Sequence, residues 1–274
     1  MAAGMKPMLV GAVAYDQKVV PIWEGIREYF EDAPVGMDFV LFSNYEAQVD
    51  ALLAGRIDIA WNTNLAYIRT SFATGGDCRV LAMRDTDVAF FTTLVGRRGE
   101  LASAADLAGT RLALGSADSA QAAIMPVHYL TAEGLDLGAD VELVRFDSDV
   151  GKHGDTGRSE RDALAAVLDG RADAAAIGLA SWDVFVRSGD VPPERLQPFW
   201  TSPPYSHCNF TTLPTMDTDR SDAWVSHLKA MSWDIPEHRR ILELEGLREW
   251  VGPVLAGYRD VFAAVEEQGI AARW

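Results

Sequence analysis

The sequence predicts an α/β protein of two lobes, and three observations predict it. Apolar strands alternate with amphipathic helices of roughly 10–15 residues, the grammar of parallel sheets with right-handed crossovers. One construction occurs twice: LLAGRIDIAW (Leu52–Trp61) and VLDGRADAAA (Val167–Ala176) each run helix end, Gly-Arg, one apolar residue, Asp, then a small apolar stretch. The tetrapeptide FTTL also occurs twice, in AFFTTLVGRR (Ala89–Arg98) and HCNFTTLPT (His207–Thr215). Helix–Gly–strand is common in α/β folds, so it is the two echoes together that argue for two units of similar build.

The elements follow in order. Met8–Tyr15 is an apolar strand. Lys18–Asp32 carries Val19, Ile22, Trp23, Ile26, Tyr29 and Phe30 at helical period. Met37–Phe42 is a strand. Ser43, with Glu46 three residues later, reads as a capping box that opens a helix ending at Gly55. Ile57–Trp61 is the next strand, and Asn62–Thr70 begins another helix. The series then repeats: strand Arg111–Leu114, helix Ser116–Ala132, strand Val141–Phe146, a helix capped by Ser159 with Asp162 and ending at Gly170, strand Ala172–Ile177, and a helix from about Ala180. The two FTTL strands bracket the middle block, after which the chain turns helical. The expected division is lobe one over 1–88 plus 214–274 and lobe two over 89–213, with hinge strands at 89–98 and 207–213. A small ligand is expected in the cleft between the lobes.

Composition narrows the function. The chain has 274 residues, 49% hydrophobic and 23% charged, which suits a soluble globular protein with a large core. With 40 acidic and 24 basic residues its net charge is −16, which disfavours nucleic acid and anionic membranes as partners. The start MAAGMKPMLVGAVAYDQK reads as a strand rather than a secretory signal, and no run reaches the ~18 apolar residues of a membrane span. The expectation is a cytoplasmic protein as written, periplasmic if a leader was removed. Cys78 and Cys208 lack CxxC or HxxxH company, so no metal is expected and buried thiols are the plain reading. Neither GxGxxG after a strand nor GxxxxGK[ST] occurs, so no cofactor is expected. Monomer and dimer are both open.

Candidate site residues lie where strands end, because ligands in α/β sheets bind beyond the carboxyl ends of strands and helix N-termini offer N–H groups there. Asn62, Thr63 and Asn64 follow one such strand; Ser116, Ser119 and Gln121 a second; Ser181 and Trp182 a third. Each set could equally be ordinary helix capping. Tyr15 and Asp16 end the first strand, and Asp16 either faces the crevice or caps the following helix. Trp61 either floors the pocket or fills the core. KHGDTGRSERD (Lys152–Asp162) is a polar, Gly-containing loop: Lys152 and His153 meet an acidic ligand, with Asp155 orienting His153, or the loop is simply solvated. His207 and Cys208 lie on the second FTTL strand, where side-chain alternation lets only one face the ligand. A nucleophilic Cys208 needs a base, for which His153 is available if its loop folds over; a buried thiol is the alternative. His128, His227 and His238 fall on helical stretches and read as structural or exposed.

GAVAYD, WEGIREYF, NYEAQVDALLAGRIDIAWNTNLAYIR, DLAGTRLALGSADSAQAAIMP, ERDALAAVLDGRADAAAIG and PFWTSPPY, in that order over most of residues 8–215, resemble the phosphate/phosphite/phosphonate-type substrate-binding proteins of ABC transporters, which have the type 2 periplasmic binding fold. The resemblance implies two α/β lobes, two hinge strands, a closing cleft and Tyr67 as a ligand contact. It also implies a small polar, anionic ligand (phosphonate, phosphate-like or carboxylate) and an ABC permease as partner if the chain is exported. Two departures stand out. Members are exported, and this chain shows no signal. Their oxyanion loop is rich in Ser and Thr, whereas GSADSAQA keeps Ser116 and Ser119 but adds the carboxylate of Asp118. The same fold serves cytosolic enzymes that resemble chorismate dehydratase, so the alternative is a cofactor-free lyase, dehydratase or hydrolase using His153, Asp155 or Cys208.

Overall fold

The computed structural model describes residues 6–271. Its strands are β1 (Met8–Val13), β2 (Met37–Phe42), β3 (Ile59–Asn62), β4 (Arg79–Arg84), β5 (Thr92–Arg97), β6 (Arg111–Leu114), β7 (Glu142–Arg145), β8 (Ala174–Gly178), β9 (Leu196–Thr201), β10 (Asn209–Thr212) and β11 (Trp250–Val251). Its helices are α1 (Val19–Tyr29), α2 (Tyr45–Leu53), α3 (Asn64–Ala73), α4 (Met125–Ala132), α5 (Arg158–Leu168), α6 (Leu179–Ser188), α7 (Thr218–Lys229), α8 (Pro236–Glu245) and α9 (Arg259–Glu267). The chain forms two units. Unit 1 holds the residues up to Ala89 together with Ser206–Tyr258; unit 2 holds Phe90–Tyr205 and the stretch from Arg259 onward.

Each unit has one mixed sheet. In unit 1 the order is β11-β4-β10-β3-β1-β2, with β1 parallel to β2 and β3 and β10 antiparallel between β3 and β4. In unit 2 the order is β7-β6-β8-β5-β9, with β6 parallel to β7 and β8 and β5 antiparallel between β8 and β9. The two FTTL segments therefore hold the same place: each supplies the antiparallel strand beside the strand of the Gly-Arg echo.

The echoed construction is the same device in both sheets. α2 and α5 end at Gly55 and Gly170, which adopt φ of 65° and 73°, a region that costs glycine nothing. The next N–H reaches back five residues, Arg56 to the Ala51 carbonyl at 2.9 Å and Arg171 to that of Ala166 at 2.8 Å. The aspartate then grips the neighbouring strand with both backbone and side chain. Asp58 N–H donates to the Leu9 carbonyl at 2.8 Å, and its carboxylate accepts the Leu9 N–H at 2.8 Å. Asp173 does the same to Arg111, at 2.8 and 2.9 Å. A one-residue slip would turn every buried side chain of the strand outward, so this clasp specifies register.

The cores follow from the strand pattern. In unit 1, Phe210 lies between Trp61 and Trp224 with ring centroids 4.6 and 5.1 Å away, joined by Trp23, Ile26 and Phe30 of α1. In unit 2 alternate residues of the strands serve two faces: Val95, Ala113, Ala175 and Ile177 pack with Leu164 and Val167 of α5, and Leu94, Leu112, Ala174 and Ala176 with Leu130 of α4.

Four expectations need correction. The cap of α2 is Asn44, not Ser43: Asn44 is the residue in extended conformation, and its side chain accepts from Ala47 N at 2.7 Å. α5 is entered through Gly157 at φ 63°, which leaves Ser159 inside the first turn as a buried residue. Residues 116–132 are not one regular helix. Ser119 caps a π-helical turn, Ala120–Ile124, that precedes α4. Pro126 has no N–H to close the usual bond to Ala122, and the Ala122 carbonyl instead accepts from Gly115 N at 2.8 Å. Finally, the last helix, expected in lobe one, belongs to unit 2. Tyr129 donates to Asp260 at 2.9 Å, His128 pairs with Glu267 at 2.7 Å, and Gln268 donates to the Ile124 carbonyl at 2.9 Å.

Hydrogen bonds from Arg111, with help from Arg97, hold the Asp173 carboxyl down to about 2, below the ordinary carboxylate range. Its stabilising effect is therefore present above about pH 4 and is lost as pH falls toward 2. Replacing Asp58 or Asp173 by Ala should each lower unfolding free energy in denaturant by about 1–3 kcal/mol, and Asp173→Ala should flatten the acid limb of the stability–pH curve.

Candidate functional site

In unit 1 the strand ends are built largely for themselves. Thr63 caps α3, its hydroxyl accepting from Ala66 N at 3.3 Å. Asn64 is buried, donating to the Ser206 carbonyl at 3.3 Å and accepting from Leu65 N at 2.8 Å. Asn62 accepts from Gln48 at 2.9 Å, and its own buried Nδ2 has no hydrogen-bond partner among the described residues. Asp16 is exposed and turns its carboxylate to Lys18 N at 2.8 Å, tightening the turn into α1, while Tyr15 is half-buried with Lys18 over its ring. Trp61 lies in the aromatic core with Phe210 and Trp250. Tyr67 packs near Tyr258, with ring centroids 4.7 Å apart; burial first, then the Cys78 thiol, push its phenol up to about 12.

His207 and Cys208 do not alternate as strand residues would, because both precede β10. Their side chains touch, Nδ1 to Sγ at 3.0 Å, and both are buried. The imidazole beside this thiol is that of His207. His207 Nδ1 also lies 3.5 Å from Asp87, whose carboxylate is gripped by Arg84 at 2.5 and 3.0 Å. Burial alone would raise the Asp87 carboxyl, but Arg84 overrides it and holds the group below its ordinary range. The donor atoms of Asp87, His207 and Cys208 lie within 4.8 Å of one another, close enough to share a divalent metal. A metal there would compete with a guanidinium already seated on the carboxylate, and Arg84 also reaches Glu245 and the Trp61 ring. The cluster is a buried network organised by Arg84, which bonds both Asp87 and Glu245.

Unit 2 gathers a denser polar cluster at the carboxyl ends of β6 and β8. Ser116 gives its hydroxyl proton to Asp149, which also accepts from Thr156 at 2.8 Å. Asp118 neither caps its own helix nor stands open: its carboxylate takes Gly151 N at 2.5 Å and so ties down the 147–157 loop. Asp147 likewise takes Ala117 N at 2.8 Å. The loop brings Gly154 so close that an added Cβ would lie 2.4 Å from the Ser119 hydroxyl and 2.7 Å from Gln121 Nε2. His153, buried beside it, is the one non-glycine residue at positive φ among the described residues, at 53°. Asp155 and Lys152 stay half-buried in the same loop. Across from them Gly178 leaves room for the Ser181 hydroxyl and the Gln121 stem, which would lie 3.2 and 3.4 Å from a methyl group added there. Trp182 packs against the α5-side core instead.

Glu160 is the residue that motif spacing does not single out. It sits in the first turn of α5, is 1% exposed, and accepts the Gly178 N–H at 2.8 Å with Oε1. Burial pushes its carboxyl up to about 7. A signal for it is present in the sequence, because Glu160, Ala163, Leu164 and Val167 form one i, i+3, i+4, i+7 stripe, and a carboxylate on that stripe is out of place unless it has a partner or a ligand to meet. Thr92 and Tyr205 also escape the motif reading: Thr92 donates to the Gln121 carbonyl at 2.9 Å and lies 3.0 Å from the Tyr205 hydroxyl.

Two mixed sheets, each with an inserted antiparallel strand and polar helix starts beyond its parallel strands, define a two-unit α/β binding protein of the periplasmic type. The model of the ABC transporter phosphonate periplasmic substrate-binding protein family matches residues 11–258, and the chain belongs to that family. A probable ABC transporter phosphite binding protein, PhnD1 of Prochlorococcus marinus, is 22% identical over 246 residues, 86% of this chain and 80% of that protein. The structure of Prochlorococcus marinus PhnD1 with methylphosphonate shares the fold, with TM-score 0.75 at 18% identity, over 96% of this chain and 98% of that one. A Xanthomonas citri protein solved bound to ATP does so too, with TM-score 0.72 at 17% identity, over 95% and 97%. Membership makes small-ligand binding for an ABC transporter the function of this chain, and it lends nothing to the enzyme alternative. No helix among the described residues is long and apolar enough to cross a membrane.

Gly154→Ala should cost about 1–3 kcal/mol in thermal unfolding, since φ of 85° and the contact with Ser119 both resist a methyl group. In thiol titration the native protein should react at half-buried Cys78 alone, with Cys208 appearing only on unfolding. Rapid labelling of Cys208 would restore it as a nucleophile.

Proposed function

We propose that the chain captures a small phosphorus oxyanion of the phosphonate or phosphite class and delivers it to an ABC permease, acting outside the cytoplasmic membrane as its family does. The observation that carries this reading is the convergence within unit 2 of the Ser119-capped turn, the Gly154 loop and the start of α6 on one buried polar cluster around Gln121. Backbone N–H groups of helix starts suit a compact anion, and the two glycines let the backbone approach Ser119, Gln121 and Ser181 closely. Ser119, Gln121 and Ser181 are the proposed contacts, with His153 carried in by its strained loop. Within unit 1, the Asn62 Nδ2 is a buried donor without a hydrogen-bond partner among the described residues. The phosphite named for the relative and the methylphosphonate in the solved structure belong to this ligand class.

The test is calorimetric titration of the purified chain with methylphosphonate, phosphite, phosphate, methanesulfonate and ATP, with phosphorus NMR on the recovered ligand. Saturable binding of a phosphorus oxyanion, returned unchanged, is the expected result. Ser119→Ala should weaken it by about tenfold, ~1.4 kcal/mol. A ligand that is consumed, or none that binds, would overturn the proposal.

A further inference from the structure

Asp87, His207 and Cys208 of unit 1 make up a buried cluster that the proposed anion contacts do not include. His207 Nδ1 lies 3.0 Å from Cys208 Sγ and 3.5 Å from Asp87 Oδ1. A thiolate, an imidazole and a carboxylate form a donor set that suits zinc, whereas magnesium and calcium take oxygen ligands. Around a tetrahedral zinc, nitrogen and oxygen ligands stand about 3.4 Å apart, and nitrogen and sulfur about 3.6 Å. The carboxylate is therefore already in place, and the thiol has to swing out by about half an ångström. The backbone that carries these donors is fastened on two sides. His207 N–H donates to the Asp87 carbonyl at 2.9 Å. The His207 carbonyl accepts from the Tyr258 hydroxyl at 3.0 Å, which in turn takes Asn209 Nδ2 at 2.8 Å. A set of donors held in advance loses little ordering entropy when an ion binds.

The charges of the network also favour a cation. The charged side chains bonded within it, among the described residues, are one guanidinium, Arg84, and two carboxylates, Asp87 and Glu245. Their sum is one negative charge in a buried place, where an excess charge is costly. Arg239 and Arg248 do not supply the balance: their guanidinium groups lie over the Trp233 ring, at 5.8 and 5.1 Å from its centre. A divalent ion bound by one thiolate adds two positive charges and one negative, and brings the sum to zero. Arg84 does not have to leave. Its Nε bond to Asp87 Oδ2 at 2.5 Å and its bonds to Glu245 can stay, while the 3.0 Å contact with Oδ1 gives way to the ion. A carboxylate that binds a metal with one oxygen and a hydrogen-bond donor with the other is the usual arrangement around such sites.

We infer that Asp87, His207 and Cys208 form a zinc site within unit 1. Cys208 gives its S–H proton to solvent and binds as the thiolate, His207 binds through the lone pair of Nδ1, and Asp87 through Oδ1. Asp87 lies just before the chain leaves unit 1, and His207 and Cys208 lie just after it returns. The ion therefore cross-links the outgoing and returning segments of one sheet, and it stabilises the folded chain because the unfolded chain has no such site. CxxC and HxxxH spacings do not reveal the donors, since the excursion through residues 90–205 separates Asp87 from the other two.

The experiment takes the full-length chain, stripped with a chelator, and titrates it with Zn2+ by calorimetry and with Co2+ by absorption spectroscopy. Zinc should bind at one ion per chain and, in buffers of different ionisation heat, release about one proton. A hundredfold excess of zinc over its dissociation constant should raise the melting temperature by about 5 °C or more. Cobalt should give a thiolate-to-metal charge-transfer band. Cys78→Ser leaves Cys208 as the one thiol, and the band should persist in it. Adding His207→Gln to that variant should weaken zinc binding at least tenfold. No band in folded Cys78→Ser, zinc binding without proton release, or unchanged affinity after His207→Gln would overturn the inference. If the double variant does not fold, the band and the proton count in Cys78→Ser decide alone.

Discussion

The clasp between an aspartate and an N–H at the start of the neighbouring parallel strand is the constraint on which both units rest. A central parallel strand is apolar on both faces and so carries little information about its own register. Leu9 and Arg111 are fixed instead by Asp58 and Asp173, each delivered by a helix that stops at a left-handed glycine. With β1 and β6 so placed, the chain must leave their carboxyl ends at defined points, and the polar turns that begin there inherit the precision. The Ser116–Ser119 turn is one such exit, and its position relative to the end of β8 follows from the pairing Leu112 to Ala174 and Ala113 to Ala175.

The two units use that precision differently. In unit 1 the polar residues beyond β3 mostly close hydrogen bonds among themselves, and Arg84 ties Asp87 and Glu245 into one buried network. In unit 2 a loop is strapped to the turn after β6 by Asp118 and Asp147, and the glycines at 154 and 178 let the backbone pack closely against Ser119, Gln121 and Ser181. The result is one buried polar cluster that joins the Ser119-capped turn, Gln121 and the Glu160 carboxyl.

Much of the fold is legible in the sequence because periodicity reports burial. β2 and β6 run over Met37–Phe42 and Arg111–Leu114 as the pattern indicates, and the Gly-Arg echo corresponds to a real structural repeat. Local starts are less legible. Ser43 and Asn44 are both good caps, and only backbone conformation decides between them. Gly157 as the entry to α5 competes with a plausible Ser159–Asp162 pair. The placement of α9 depends on tertiary partners such as Tyr129 and His128, which leave no local trace in residues 259–267. The candidate site is half legible. Ser119, Gln121 and His153 stand where turn chemistry puts them, whereas Glu160 is hidden by its neighbours: in RSERDALAAVL a carboxylate among Arg, Ser and Asp looks like solvated helix surface until its place on the buried stripe is noticed.

The interrupted chain path has a consequence for folding order. β10 lies in the interior of the unit 1 sheet, yet it is separated from β4 by the whole of residues 85–208. Closing so long a loop is slow and entropically unfavourable for a flexible chain. The ends of the intervening segment, however, are held together: Phe90 and Tyr205 exchange two backbone hydrogen bonds, at 2.8 and 3.0 Å. Once the middle block has folded it behaves as a staple that shortens the connection to a few residues on either side, and the unit 1 sheet can then close at little further entropic cost.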